Sequence, residues 1–376
     1  MYKMMSPSSA TAARQKFLTV CQFTCITCAA VCGLLLGVFL HANPEQLVGE
    51  YFGSYVRFNR SLAKILAFMI YVDPTNLHPQ LHLVDHLFSI GKPNDVENAI
   101  KTIDDFGWKG NMLINIGNVK GAVLRSAVKS RVLDKVKQSS TSKTNNGDEE
   151  NLIQINIVEM GAFLGYGTLQ IVQGVREAID EIGKTATVTN TTDVVPRGGA
   201  PQLPNKLSVN IDSVDPAALS YSSTLAVLDF AGVVGTRRYD GRGGEGRGSE
   251  EQRRGEQNSK IEADITVRLR KDYSSNILEE YNKKEKDAER LGKNIDLLFL
   301  DHLKHLYLSD LHLSLPSLAN NATVVADNIL SPGAPDYRAW VLGEEGKKLF
   351  STEVHLLHVE YCPSIPDEVL VSTYRK

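Results

Sequence analysis

The chain has 376 residues, of which 42% are hydrophobic and 23% charged, with a formal net charge of −3. Its 41 basic and 44 acidic residues nearly cancel, so net charge gives no case for a polyanion partner. Four of its five cysteines, Cys21, Cys25, Cys28 and Cys32, fall in one apolar run and only Cys362 lies in the body, which excludes a disulfide scaffold and leaves the core to packing.

That apolar run, 17–40, is 24 residues without a charge. At about 1.5 Å per residue it reaches ~36 Å, enough for a transmembrane helix. Lys3, Arg14 and Lys16 precede it, and Glu45 and Glu50 follow before Arg57. The positive-inside rule then predicts a cytosolic 1–16, a single-pass anchor at 17–40 and a body that is lumenal or extracellular. A cleaved signal peptide ending near Ala42 is the alternative, and gives a secreted body. The cysteine spacings of 4, 3 and 4 imitate a metal cluster. The run offers no polar second shell, so they read as small residues on a membrane helix.

Residues 41–74, through Tyr51, Phe52, Tyr55, Phe58, Ile65 and Tyr71, read as a juxtamembrane amphipathic segment. Helical patterns follow over 77–90, 95–106 and 117–136, with Asp95 as an N-cap. His82 and His86 flank Asp85 at i, i+4 spacing, and such a pair on a leucine-rich helix reads as structural. From 152 the pattern alternates: strand 152–158, helix 165–182, strand 206–212, helix 216–231 and strand 263–269. Helix 276–291, strand 295–301, helix 311–318 and strand 323–327 continue it, and strand-like runs 352–361 and 369–374 end it. Seven strands so spaced predict an α/β fold with a doubly wound, mostly parallel sheet and a C-terminal antiparallel hairpin. Three turn-rich stretches, 138–150, 183–205 and 237–262, read as insertions into a catalytic domain over 75–376. The last contains GRGGEGRGSEEQRRG, which imitates an RGG tract. Over 237–256 it carries six arginines against five acidic residues, so a solvated loop is predicted and no nucleic-acid partner.

In an open α/β sheet, ligands bind beyond the carboxyl ends of the strands. The first strand runs into Glu159-Met160-Gly161-Ala162-Phe163-Leu164-Gly165, whose glycines let the backbone approach a ligand. The second is expected to end at Asp212, a carboxylate able to take both hydroxyls of a ribose. Together they suggest an adenosyl cofactor. The fourth and fifth strands end in Asp301-His302-Leu303-Lys304 and Asp327-Asn328. Two carboxylates and an amide oxygen on adjacent strand ends make a magnesium-type site that keeps open positions. Lys304, three residues past Asp301, is a candidate base whose pKa a nearby divalent cation would lower.

LFLDHLKHLYLSDL and TVVADNILSPGAPDYRAWV (within 298–341), VEMGAFLGYG (158–167), INIGNVKG (114–121), KPNDVENAIKTIDDF (92–106) and HVEY (358–361) resemble segments of the catechol O-methyltransferases. The resemblance covers most of 75–376 apart from the insertions, and the membrane-bound form of that family also has an N-terminal anchor. It implies a Rossmann-like class I methyltransferase fold, S-adenosyl-L-methionine as methyl donor, Mg²⁺, and a catechol-type hydroxyl as acceptor. By position, it implies Asp301, Asp327 and Asn328 as metal ligands, Lys304 as base, and Glu360 as the group gripping the second hydroxyl. Ile116, Glu159, Gly161, Phe163, Gly167, Asp212 and His302 would line the cofactor, Asp215 competing with Asp212 for the ribose. Met112, Ile114 and Pro332 would wall the substrate slot. The chain departs from the family at several walls. Met112 and Leu303 replace tryptophans, Ile114 a methionine, Phe163 a tyrosine and Gly167 a serine, and the adenine-loop motif is not recognisable in 268–273. Two other readings stand beside this one: a different phenolic or vicinal-diol acceptor, and a membrane scaffold that uses the fold only to bind.

Overall fold

The computed structural model describes residues 79–109, 113–141, 152–189, 206–239, 262–283 and 294–375. The run 17–40 with its four cysteines, the segment 41–74, Met112 and most of the three insertions lie outside the described residues. Among those described, no helix is long and apolar enough to cross a membrane.

Among the described residues, three helices come first: α1 (Pro79–Ile90), α2 (Val96–Trp108) and α3 (Gly117–Thr141). Then β1 (Leu152–Met160), α4 (Tyr166–Thr189), β2 (Lys206–Val214), α5 (Ala218–Phe230), β3 (Gly235–Tyr239), β4 (Glu262–Arg270) and α6 (Ser274–Asn282) follow. The chain continues through β5 (Ile295–Leu300), α7 (Tyr307–Ser314), β6 (Leu318–Ala326), α8 (Pro335–Val341) and α9 (Glu344–Leu349), and closes with β7 (Phe350–Val359) and β8 (Cys362–Tyr374). They form one eight-stranded sheet in the order β3-β4-β2-β1-β5-β6-β8-β7. The pairs β1–β2, β1–β5, β2–β4 and β5–β6 are parallel; β3–β4, β6–β8 and β7–β8 are antiparallel. This is a doubly wound, Rossmann-like mixed sheet.

Side-chain alternation splits the core into two layers. Ile153, Ile155 and Ile157 of β1, with Leu297 and Phe299 of β5, meet α1–α5 on one face. Val158, Met160, Leu298 and Leu300 meet α6, α7 and α8 on the other. Strand β5 is buried along its whole length, which is why it reads as a continuous apolar run. Its one charge, Asp296, is held by Arg131 (2.7 Å) and Lys135 (2.8 Å) of α3, and accepts from the Asn156 amide. That cluster fixes α3 across the sheet.

Several expectations need correction. The sheet has eight strands, not seven, because Gly235–Tyr239 pairs antiparallel with β4. The stretch 237–262 therefore begins and ends in strands. Helices α3 and α4 also run on to Thr141 and Thr189, so the other two insertions start later than composition suggested. β1 and β2 each continue two residues, to Met160 and Val214, which puts Asp212 inside its strand and Asp215 at the end. The helix expected at 311–318 starts at Tyr307 and stops at Ser314. Pro316 cannot donate in a continuing helix, and Leu318 already begins β6. α8 and α9 are too short to show a period. His86 packs its ring on Phe106 (centroids 5.1 Å apart), in keeping with a structural role.

The α2 cap is as expected: Asp95 has extended backbone and accepts from the Asn98 amide at 2.9 Å. Asp95→Ala should cost about 1 kcal/mol, the usual worth of such a cap, read as a lower urea midpoint at unchanged slope. An unchanged midpoint would mean the cap contributes nothing here.

Candidate active site

The carboxyl ends of β1, β2, β5 and β6 lie side by side, and backbone ladders carry them past the last strand residues. The Asp301 amide donates to Met160 O (2.8 Å), Asp327 to Leu300 O (3.0 Å) and Asp215 to Arg270 O (3.0 Å). Gly161 (φ +99°) turns the chain out of β1 against β5, where a Cβ would stand 2.3 Å from the Asp301 carbonyl oxygen. Only glycine permits that approach.

On the β1–β2 side, Glu159 is wholly buried. One carboxylate oxygen accepts from Thr168 (2.5 Å) and Ser213 (2.7 Å), while the other, Oε1, has no donor. Burial pushes its pKa up to about 8, against the two hydroxyls that lower it. Gly167 leaves the room this needs, since a Cβ there would sit 2.3 Å from Oε1. Asp212 is buried and fully engaged: Arg268 donates to it at 2.6 and 3.2 Å and Tyr281 at 2.8 Å. Asp215, half-buried at the strand end, accepts from the Phe163 amide (3.0 Å) and the Ala217 amide (2.9 Å). Burial raises its pKa, and the two amides oppose that. His302 is bonded through Nε2 to Asp310 (2.7 Å) and stacks on Tyr307, and its Nδ1 has no partner. Burial lowers its pKa.

On the β5–β6 side, Asp327 is fully buried, and neither of its carboxylate oxygens has a hydrogen-bond donor. The Lys120 ammonium lies 2.9 Å from Oδ1, close enough for charge attraction but out of hydrogen-bonding alignment. Burial raises the Asp327 pKa far above the carboxylate range; Lys120 opposes this, and Asp301, Glu360 and Asp367 reinforce it. Asp301 accepts from Lys304 at 3.0 Å, and burial pushes its pKa up to about 6 against the pull of Lys304. Lys304 also donates to Tyr307 (2.7 Å), whose hydroxyl donates to the Asp327 carbonyl (3.1 Å). Asn328, left-handed at φ 55°, spends its amide nitrogen on Glu360 (2.8 Å) and Asp367 (3.1 Å). That leaves its amide oxygen as the end able to face a cation. A donor-free buried carboxylate beside Asp301 and this amide fits a hard divalent cation.

Of the residues picked from sequence, the fold gathers Asp301, Lys304, Asp327, Asn328 and Glu360. Glu159, Gly161, Phe163, Gly167 and His302 lie together across the strand ends from them. Ile116 is buried, whereas Ile114 and Leu303 are 62% and 43% exposed. Pro332 lies in the turn Ile329–Gly333 after Asn328. Two residues were missed, Lys120 and Asp367. Among the described residues, the acidic groups gathered within 4.8 Å are Asp327, Glu360 and Asp367. Lys120 lay in the quoted INIGNVKG, and Asp367 is one of two adjacent acids, with Glu368, before Val369-Leu370-Val371, so nothing in the local pattern singled it out.

No family model matches the chain. It is 26% identical over 300 residues to a probable O-methyltransferase from Mycobacterium tuberculosis, covering 77% of this chain and 90% of that protein. It is 22% identical over 263 residues to catechol O-methyltransferase from Mus musculus, covering 69% and 67%. Among solved structures it is similar to the O-methyltransferase from Bacillus cereus in complex with SAH, at 11% identity and a TM-score of 0.41, over 78% of this chain and 97% of that one. It is likewise similar to the O-methyltransferase TomG from Streptomyces achromogenes in complex with SAM, at 12% identity and a TM-score of 0.41, over 78% and 95%.

The Glu159 carboxyl gives a pH prediction. Its folded pKa lies above the unfolded value of about 4.5, so the stability it contributes is present below that value and is lost as pH rises towards about 8. In the ligand-free protein, the melting temperature of Glu159→Gln relative to wild type should therefore rise steadily between about pH 5 and 8. A difference that is flat over this window would show that Glu159 ionises normally. Its relatives in sequence are O-methyltransferases, a catechol O-methyltransferase among them.

Proposed function

We propose that the chain is an S-adenosylmethionine-dependent O-methyltransferase that methylates one hydroxyl of a catechol-type substrate held with Mg²⁺ between β5 and β6. The observation that carries this reading is the buried Asp327 carboxylate, which has no aligned hydrogen-bond donor and only the Lys120 ammonium close by among the described residues, on the strand end adjoining Asp301 and Lys304. When bound, Mg²⁺ would supply the charge that acidifies a vicinal hydroxyl, and S-adenosylmethionine the methyl group.

Asp301, Asp327 and the Asn328 oxygen hold the metal in this reading. Lys304 takes the proton of the attacking hydroxyl at Nζ, its direction set by Asp301 and Tyr307. Glu360 accepts from the second hydroxyl and so fixes which oxygen reacts. Across the cleft, the unpartnered Glu159 oxygen suits the cationic methionine end of the cofactor. Asp215 suits the ribose better than Asp212, because Asp212 is already satisfied by Arg268 and Tyr281. Ile114 and Leu303, both exposed, would provide apolar cover in this reading. Orientation and charge stabilisation supply the acceleration.

The test is S-adenosylhomocysteine release by the 43–376 fragment over a panel of catechols and other phenols, with and without Mg²⁺. Asp301→Ala should abolish metal-dependent release, and Lys304→Ala should lower kcat by about 10²–10⁴-fold with cofactor affinity nearly unchanged. Asp215→Asn should weaken S-adenosylhomocysteine binding about tenfold or more, the worth of a charged hydrogen bond. Full-rate transfer in EDTA, or in the Asp301 variant, defeats the magnesium mechanism. Cofactor binding with no turnover on any acceptor favours the scaffold reading.

The membrane reading belongs to the same proposal: 17–40 anchors the chain in a single pass with 1–16 cytosolic, or is removed and the body secreted. Full-length protein should stay in the carbonate-washed pellet, with 75–376 protected from protease in sealed microsomes. Digestion of that domain reverses the topology, and release into the medium favours cleavage.

A further inference from the structure

Lys120 is a fully buried ammonium, 1% exposed, and none of the roles above uses it. It lies one turn into α3, directly after the segment 113–116. Its Nζ lies 2.9 Å from Asp327 Oδ1 and 2.8 Å from Asp367 Oδ2, and makes a short hydrogen bond to Glu360 Oε1. Those three carboxylates would by themselves nest a cation, and the ammonium already occupies their centre. Burial works against its charge, and the three carboxylates outweigh that penalty.

Each partner is fixed from another side. Asp367 accepts from the amides of Leu330 (3.0 Å), Ser331 (3.0 Å) and Glu368 (2.8 Å), so it cannot turn away. Among the described residues, Glu360, in the β7–β8 turn, is held by Lys120 and Asn328. Two more contacts join the same segments. Asn115 donates to Tyr361 Oη at 3.2 Å, and a Cβ on Gly117 would stand 3.2 Å from Glu360 Cβ. The start of α3 thus rests directly on the turn that carries Glu360.

We propose that Lys120 is a positioning residue: its ammonium pins Glu360 against Asp327 and Asp367 and thereby ties the cofactor-side segment 113–116 to the acceptor side of the cleft. Order on one side is then transmitted to the other before any ligand arrives. The assignment of the two sides rests on the reading under Proposed function; the tie itself does not.

The test is amide hydrogen exchange on the ligand-free protein, comparing wild type with Lys120→Met, which keeps the length and removes the charge. Exchange should speed by about tenfold or more in both 113–120 and 358–368, while β1 and β5 keep their protection. A merely structural loss would instead speed exchange across the sheet. Exchange that is unchanged in either segment overturns the proposal. Should Lys120→Met fail to fold, Glu360→Gln serves in its place. It alters only the acceptor turn, and must still loosen 113–120; an unchanged 113–120 overturns the proposal equally. With turnover, Lys120→Met should raise the KM for catechol about tenfold while kcat per folded molecule changes less than about threefold. Parallel losses in kcat and KM overturn the positioning role. A wild type without turnover defeats the catechol reading alone, and the exchange comparison still decides the role of Lys120.

Discussion

The cleft depends on solving one electrostatic problem: four carboxylates, Asp301, Asp327, Glu360 and Asp367, and two ammoniums, Lys120 and Lys304, share a volume nearly closed to water. Charges in such a place persist only when paired or hydrogen-bonded. Lys304 pairs with Asp301 and Lys120 with the other three carboxylates, so that a fully ionised set would carry two negative charges in excess. Burial instead holds the Asp327 and Asp301 pKa values up, and one divalent cation would offset the excess and let both ionise. The sheet makes this possible. Parallel pairing of β5 with β6 delivers Asp301 and Asp327 at the same level, and the antiparallel β6–β8 pair brings Asp367 back beside them.

The same constraint explains what the sequence revealed. Asp301, Asp327 and Asn328 were legible because each follows a strongly apolar strand, and strand ends are where an α/β sheet places its ligands. Lys304 was legible through its spacing from Asp301. Lys120 and Asp367 were not, because their meaning lies in contacts spanning 247 positions, which neither periodicity nor spacing encodes. Strand β3 was hidden for a different reason. Its sequence, Gly-Thr-Arg-Arg-Tyr, is polar because it lies at the sheet edge, and it reads as the beginning of the charged insertion.

The β1–β2 side differs further from the catechol O-methyltransferase segments that the sequence resembles, and its differences are physically connected. A glycine at 167 removes a hydroxyl that could meet a ligand, but it opens the space into which the unpartnered Glu159 oxygen points. The acids near the end of β2 likewise differ in what holds them. Asp212 is closed off by Arg268 from β4 and Tyr281 from α6, and Asp215 stands where β2 meets the Phe163 turn. The buried carboxylate at 212 is paired with Arg268 directly across the ladder.

Arg268 and Asp212 are register partners on β2 and β4, so their ion pair is as fixed as the strands themselves. Asp215 has no such partner. Its carboxylate is held by two backbone amides, which orient it without neutralising it. A strand-end acid aimed by amides can accept hydroxyl donors, whereas one locked to a guanidinium would first have to break a charged, two-point hydrogen bond. The acids of this sheet therefore fall into two kinds. Asp212 and Asp296 are tied to neighbouring arginines and hold elements together. Asp215, Asp301 and Asp327 stand just past the strand ends, where the proposed chemistry would draw on them.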